Sequence, residues 1–143
     1  MSVGEALLKV WDRLLRSRYA QTWQEACEER LKQELLEDAG PFHEEFPLLC
    51  ADEWEVCSGM TNFGVGDLVF TDGHGGYAVV EVKWIVSGGK SRRNYKRRKV
   101  REQAHRYACA WARRFPDACR VVGYTFTDEW GLRVELPDAC LLS

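Results

Sequence analysis

The most constraining feature of the sequence is an apolar, β-branched run at residues 77–86, YAVVEVKWIV. Such composition is typical of a β-strand, and the Ser-Gly-Gly that follows it ends the strand. Glu81 and Lys83 stand two residues apart inside the run, so they project from one face while Val80 and Val82 project from the other. Charges in an apolar strand are costly to bury unless they are paired or bound to a metal.

The rest of the pattern predicts helices on either side of this strand and its neighbours. Apolar residues at helical spacing predict helices at about 3–16, at 22–39 and at 91–115, the second with a capping box of Thr22 and Glu25. Shorter strands are predicted at 46–50 and 53–57, which a hairpin would join, and at 66–70, 119–127 and 132–136. A strand–helix–strand crossover near the end indicates a mixed central sheet flanked by helices, an α/β (α+β) fold.

Length and composition limit the class of protein. With 143 residues, 45% hydrophobic and 29% charged, the chain is expected to form a single domain over 1–143, with the helix at 3–16 preceding its core. The sequence has no apolar run of 18 residues and no secretion-signal layout, so we expect an intracellular protein, cytoplasmic or, in a eukaryote, nuclear, with no membrane partner. Its six cysteines form no Cys-x-x-Cys pair, the usual half-site for zinc or iron–sulfur clusters.

Positive charge is concentrated in one segment. The net charge is −2, but residues 90–101 contain eight bases and no acid, which leaves 12 bases against 22 acids elsewhere. An acidic body with one basic segment suits a protein that grips a polyanion at one place. A solvated helix face or a nuclear-localisation signal would produce the same pattern.

Asp67 opens the strand that precedes the Glu81 strand, so the two carboxylates can meet across adjacent strands. Two such carboxylates can hold Mg²⁺, which prefers oxygen ligands and keeps several waters and phosphate oxygens. A neighbouring lysine such as Lys83 can orient or deprotonate a metal-bound water. The alternative is a structural ion pair, Glu81 with Lys83 or Asp67 with Lys83, at the edge of a sheet.

Gly66-Asp67, thirteen intervening residues and then Glu81-Val82-Lys83 resembles the core motif of the PD-(D/E)xK nuclease superfamily. That superfamily includes restriction enzymes, archaeal Holliday-junction resolvases and RecB-type exonucleases. The resemblance implies a restriction-endonuclease-like core in the order helix, three strands, helix, strand. It also implies a Mg²⁺-dependent nuclease, with Mn²⁺ as a substitute, that cuts DNA in repair, recombination or end-processing.

Two departures from the family pattern accompany this resemblance. The usual proline before the aspartate is Gly66 here. The stretch at 40–66 is longer than a single strand requires, so an extra hairpin or a substrate-contacting loop is expected there.

The resemblance also assigns roles to individual residues. Asp67, Glu81 and the backbone carbonyl of Val82 would hold the metal, and Lys83 would position the attacking water. The first core helix is similar to that of junction resolvases and contributes Glu29 to the metal site, although helical geometry keeps Glu28 open.

Gln103 and Tyr107 match the Gln-x-x-x-Tyr motif of the RecB-like branch and share one helix face, although Tyr107 also fits a core position. That motif favours exonucleolytic action, whereas the first helix favours a junction endonuclease, for which a homodimer would supply paired cuts.

The basic segment is predicted to bind the nucleic-acid backbone. Its members are Lys90, Arg92, Arg93, Lys96, Arg97, Arg98, Lys99 and Arg101. Of these, Lys96, Arg97 and Arg101 are expected to hold the strand, and Tyr95 to stack on an unpaired base. The expected partner is DNA, single-stranded, branched or at a duplex end. RNA and membership of a larger complex stay open, as does a non-catalytic nucleic-acid-binding or protein-interaction module.

Overall fold

The structure of the protein, a computed structural model, describes residues 3, 4, 6–10, 12, 23–38, 40–86 and 88–136. The described residues among 3–12 are helical, in agreement with the helix expected at about 3–16, whose remainder lies outside the described residues. Thr22 of the expected capping box also lies outside them. No helix in the described part of the chain is long and apolar enough to cross a membrane.

In the described part of the chain, three helices and five strands follow the N-terminal segment. They are α1 (Trp23–Glu37), α2 (Pro41–Glu45), β1 (Leu48–Cys57), β2 (Met60–Thr71), β3 (Gly76–Lys83), α3 (Lys90–Arg114), β4 (Arg120–Thr127) and β5 (Gly131–Leu136). The helices predicted at 22–39 and 91–115 and the strand predicted at 119–127 are confirmed to within two residues at each end. The basic half of α3 is helical from Lys90 onward.

The strands form one mixed sheet in the order β1-β2-β3-β4-β5. β3 and β4 are parallel and are connected through α3, whereas the other neighbouring pairs are antiparallel. Parallel neighbours require such a crossover, because a tight turn cannot reverse the chain direction twice. The predicted α+β class with a mixed sheet and flanking helices is confirmed.

The helices cover opposite faces of the sheet. On one face, Leu31 and Leu35 of α1 and Phe42 of α2 pack with Val80 and Val82 of β3. On the other face, the apolar stripe of α3 packs against the remaining side chains of the same strands, Tyr107 and Trp111 with Val79 among them. Alternate side chains of β3 therefore pack in the cores on the two faces of the sheet, which explains why the strand is apolar almost throughout.

The prediction of two separate strands at 46–50 and 53–57 is wrong, because residues 48–57 form one continuous strand. Phe46 ends α2 and is buried in the core, and β1 is one strand with irregular pairing. Glu53 has a φ of 48°, which is left-handed for a residue with a side chain. Ala51 and Trp54 consequently pack on the same side of the sheet, although they stand three positions apart, which in a regular strand would place them on opposite sides. A kink at Glu53, rather than a turn, bends this part of the chain.

β1 and β2 continue beyond the sheet as a two-stranded ribbon. β2 pairs with β3 only from Leu68 to Thr71, whereas its earlier residues pair with β1 alone. The ribbon, residues 54–66, fills the stretch where an extra hairpin or loop was expected. The guanidinium of Arg114 at the end of α3 donates hydrogen bonds to the carbonyls of Glu55 and Val56, at 2.6 and 2.9 Å. The end of α3 thereby holds the ribbon.

Candidate functional site

β2 and β3 separate at the residues that the sequence singles out. Their last pair is Leu68 with Val80, and the next pair would place Asp67 opposite Glu81. There the carboxylates accept hydrogen bonds in place of backbone carbonyls. The Asp67 N–H donates to Glu81 Oε1 at 3.1 Å, and the Val82 N–H donates to Asp67 Oδ2 at 2.8 Å. The structure thus brings Asp67 and Glu81 into contact at the point where the two strands diverge.

Burial raises the pKa of both carboxyl groups, and the charge of Asp67 adds to the effect on Glu81. Glu81 is only 4% exposed, and burial, followed by the charge of Asp67, raises its pKa well above the ordinary value. Burial also raises the pKa of Asp67, although the hydrogen bond from Val82 and the charge of Lys32 oppose this change. Two adjacent carboxylates in this state are stabilised by a shared proton or by a cation.

Lys83 ends β3 beside this pair and contacts an acid from α1. Its Nζ lies 3.4 Å from Glu28 Oε1, and the same oxygen accepts a hydrogen bond from the Trp84 N–H at 3.3 Å. After Trp84 the chain leaves the sheet, and Asp128 accepts the N–H groups of Ile85 and Val86. Side-chain acceptors, rather than a neighbouring strand, therefore fix the backbone that follows Lys83, so β3 ends before the predicted residue 86.

On position, Glu28 and not Glu29 is the candidate acid of α1. Glu28 contacts Lys83 and its charge acts on Asp67, whereas Glu29 is exposed and its charge acts on Lys32. The reason is helical geometry, since residue 28 shares a face with Leu31 and Leu35, which face the sheet. The position of Glu28 therefore favours it over Glu29 for the role that the resemblance assigns to this helix.

Lys32 is a site residue that sequence reasoning missed. It is 8% exposed, and its Nζ lies 3.5 Å from Asp67 Oδ1, 3.5 Å from Asp52 Oδ1 and 3.7 Å from Glu53 Oε1. One signal was available, because Lys32 stands four residues after Glu28 and therefore on the same helix face. The dense acidic composition of α1 concealed it.

The basic segment divides into engaged and exposed members. Lys96 is 4% exposed and lies where the charges of Lys83 and Glu28 reach it, and burial lowers its pKa. Arg97 forms a two-pronged ion pair with Glu129 at 2.9 and 2.7 Å, and Arg101 lies 3.4 Å from a Glu135 oxygen. Lys96 and Arg97 are thus engaged within the protein, which counts against their expected role in holding a strand, whereas Arg101 is exposed on α3 beside Glu135.

The remaining bases of the segment are available on the surface of α3. The fully exposed ones are Lys90, Arg92 and Arg98, while Arg93 and Lys99 are partly exposed. Tyr95 is also exposed and lies beneath the guanidinium of Arg98, 5.9 Å from its ring centroid. These side chains form the candidate nucleic-acid surface, which we call the α3 basic surface.

The Gln-x-x-x-Tyr pair lies further along α3. Tyr107 is buried, packs edge-on against Trp54 and directs its hydroxyl at Gly64 of the ribbon. Gln103 is half-buried, and its amide forms no hydrogen bond with any residue that the structure describes. Tyr107 therefore serves the core, as the alternative interpretation expected, whereas Gln103 keeps a free polar group one turn nearer the start of α3.

Gly66 has a packing reason. A Cβ at this position would overlap the indole of Trp54, which lies directly on the glycine. The family's usual proline would not fit beneath that indole, so the departure from the pattern follows from the Trp54 side chain on β1.

The fit to Mg²⁺ depends on two carboxylates. Among the described residues, no group of three or more His, Cys, Asp or Glu side chains is arranged to hold a metal ion. Mg²⁺ does not require such a group, because it binds through one or two carboxylates and takes its other oxygens from water and substrate phosphates. The contact between Asp67 and Glu81 and the raised pKa of both groups suit that smaller ligand set.

Comparison of the chain with known protein families, with curated proteins and with solved structures finds no match.

Proposed function

We propose that this protein is a Mg²⁺-dependent nuclease that hydrolyses DNA phosphodiester bonds. The observation that carries the proposal is the contact between the Asp67 and Glu81 side chains where β2 and β3 separate, with Lys83 two residues after Glu81 on β3. Buried acids with raised pKa values beside lysines are typical of functional sites, although structural ion pairs also produce them. The proposed role is in DNA repair, recombination or end-processing.

The arrangement of the chain supports a restriction-endonuclease-like core. α1, the strands β1 to β3, α3 and β4 follow one another in the order helix, three strands, helix, strand. In this interpretation α2 and β5 are additions to the core. A mixed sheet whose parallel pair is crossed by α3 is compatible with the proposal.

Each residue of the site has a proposed role. Asp67 and Glu81 would hold Mg²⁺ together with the Val82 carbonyl, and Glu28 would complete the site directly or through water. Bound Mg²⁺ would supply an activated water and charge stabilisation for the phosphoryl group. Lys83, kept in place by Glu28 at 3.4 Å, would orient the water and offset negative charge on the phosphate.

Binding of the nucleic-acid backbone is proposed for the α3 basic surface. The helix that bears these bases begins at Lys90, shortly after β3 ends at Lys83, so they would hold a strand near the carboxylates. Gln103 would contribute its free amide to the same strand. Tyr95 would stack on an unpaired base.

The test is cleavage of single-stranded, duplex and branched DNA with Mg²⁺ or Mn²⁺. Asp67→Asn should lower the cleavage rate by about 100-fold or more, because loss of even an outer partner of a metal ligand costs about 10- to 100-fold. Glu37→Gln, which neutralises an exposed acid at the end of α1, should cleave like the wild type. Equal cleavage by the Asp67→Asn protein would assign the activity to a contaminant and refute the proposal.

One observation favours a second candidate, a non-catalytic module that binds nucleic acid or a partner protein. The ammonium of Lys32 lies 3.5 Å from Asp67, so the carboxylates already have a cation within the chain. Calorimetric titration with Mg²⁺ separates the two candidates. Heat of binding that disappears in Glu81→Ala supports the nuclease, and absence of binding both in the wild type and in Lys32→Met, which lacks the internal cation, supports the module.

A further inference from the structure

Lys32 is buried in a position that only its acidic neighbours make favourable. Placing an ammonium in the interior costs several kcal/mol unless it is paired. Three carboxylates surround the Lys32 ammonium at 3.5 to 3.7 Å. They differ in exposure, because Asp67 is mostly buried, whereas the side chains of Asp52 and Glu53 are 56% and 72% exposed. The ammonium thus lies between an inner acceptor and two outer ones.

Asp67 has both of its oxygens engaged. Oδ2 accepts the N–H of Val82, and Oδ1 faces Lys32. Glu81 in turn accepts the N–H of Asp67 through Oε1. Among the described residues, Lys32 is therefore the base that contacts the Asp67 carboxylate.

The outer acceptors are kept in place at some cost. Glu53 has a left-handed φ of 48°, which is unfavourable by about 1 kcal/mol or more for a residue with a Cβ. This conformation coincides with the kink of β1 and with an ion pair between Glu53 and Lys32. Strained backbone of this kind persists where the surrounding contacts favour it.

We infer that Lys32 is an internal counter-cation that competes with a divalent metal ion for Asp67, and that Asp52 and Glu53 receive its ammonium when the metal binds. The inference rests on the proposed metal site and concerns its regulation. Lys32 would keep metal affinity low in the free protein, because two cations cannot share one carboxylate oxygen without repulsion. Phosphate oxygens of a bound strand would add negative charge and offset that repulsion.

The experiment is a calorimetric titration of the DNA-free protein with Mn²⁺ and with Mg²⁺, which measures the metal affinity. Lys32→Met should bind the metal about tenfold more tightly than the wild type, since about 1.4 kcal/mol of removed repulsion changes the affinity tenfold. Lys32→Arg, which keeps the charge, should bind like the wild type. Lys9→Met, which removes an exposed lysine of the N-terminal segment, controls for net charge and should also bind like the wild type.

A second variant tests the outer acceptors without touching the buried lysine. Asp52→Asn with Glu53→Gln should weaken metal binding about tenfold, because the ammonium then has only Asp67 as an acceptor. Glu34→Gln with Glu37→Gln removes two exposed carboxylates elsewhere on α1 and serves as the matched control, with affinity close to that of the wild type. Circular dichroism of each variant shows whether it folds. If Lys32→Met does not fold, the comparison of Asp52→Asn with Glu53→Gln against its control decides the question.

The outcomes separate the two proposals. Metal binding that is unchanged or weaker in a folded Lys32→Met protein, or unchanged in Asp52→Asn with Glu53→Gln, overturns the role of Lys32 and leaves the nuclease proposal intact. Lack of metal binding in the wild type and in every variant overturns both.

Discussion

Glu81→Gln should stabilise the metal-free protein at neutral pH while removing metal binding and cleavage. The amide oxygen of glutamine can still accept the N–H of Asp67, which Glu81 Oε1 accepts at 3.1 Å. Its NH₂ group can donate to the adjacent carboxylate of Asp67. The substitution therefore keeps the shape and hydrogen bonding at the separation of β2 and β3, and removes one of two repelling charges.

The magnitude follows from the separation and burial of the two groups. Two unit charges about 4 Å apart repel by about 4 kcal/mol at the effective dielectric constant of about 20 that suits protein sites. Lys32, at 3.5 Å from Asp67, offsets part of this energy, as does the hydrogen bond from Val82. We expect the free energy of unfolding to rise by about 1–2 kcal/mol, which corresponds to about 3–8 °C in Tm for a chain of this size.

The stabilisation should depend on pH in a defined direction. The pKa of Glu81 is raised in the folded protein, so the folded state keeps its proton to a higher pH than the unfolded state, where glutamate titrates near about 4.3. Wild-type stability should therefore fall as the pH rises from that value through the folded pKa. The advantage of Glu81→Gln should be close to zero near pH 4 and largest at neutral and higher pH.

Thermal and urea unfolding in EDTA between pH 4 and pH 8 would measure this difference. Glu102→Gln, an exposed acid on α3, provides the control and should change stability by less than about 0.5 kcal/mol at every pH. A Glu81→Gln protein that is less stable than the wild type at neutral pH would refute the reasoning. An advantage of the same size at pH 4 and pH 8 would also refute it, because charge would then not be its cause.

Three further predictions concern packing and the basic segment. Gly66→Ala should lower stability by about 2 kcal/mol or more, because its Cβ meets the tryptophan indole of β1, whereas Gly89→Ala, with open space around its Cβ, should cost far less in the same unfolding assay. Arg97→Met should lower Tm through loss of its two hydrogen bonds to Glu129, yet leave DNA affinity nearly unchanged. Arg98→Met should do the reverse, with unchanged Tm and a salt dependence of DNA binding reduced by about one ion.

Periodic parts of the chain could be predicted from the sequence. β3 and the second half of α3 have strong strand and helix patterns, and both form where they were expected. The contact between Asp67 and Glu81 also follows from local rules, since adjacent antiparallel strands with a short connection bring such positions together. These features depend on spacing within one or two elements.

Other features depend on contacts that no local pattern encodes. Glu53 has a left-handed conformation within β1, where the sequence predicted two separate strands. The surroundings that stabilise this conformation include an ion pair from α1. The burial of Lys32 and Lys96 likewise depends on where three elements meet. The basic segment looked uniform in the sequence because Glu129 and Glu135, which neutralise two of its arginines, are about 30 residues away.

The ribbon formed by residues 54–66 has a consequence for the dynamics of the protein. Its strands have only each other as backbone partners, and Met60, Phe63 and Val65 are exposed on it. Although Arg114 and the aromatic residues of α3 contact it, a ribbon that is not hydrogen-bonded to β3 opens in a smaller cooperative unit than the main sheet, and its amide protons should exchange with solvent sooner. Because Asp67 is the residue at which β2 joins the sheet, each opening of the ribbon would end beside the candidate metal ligand.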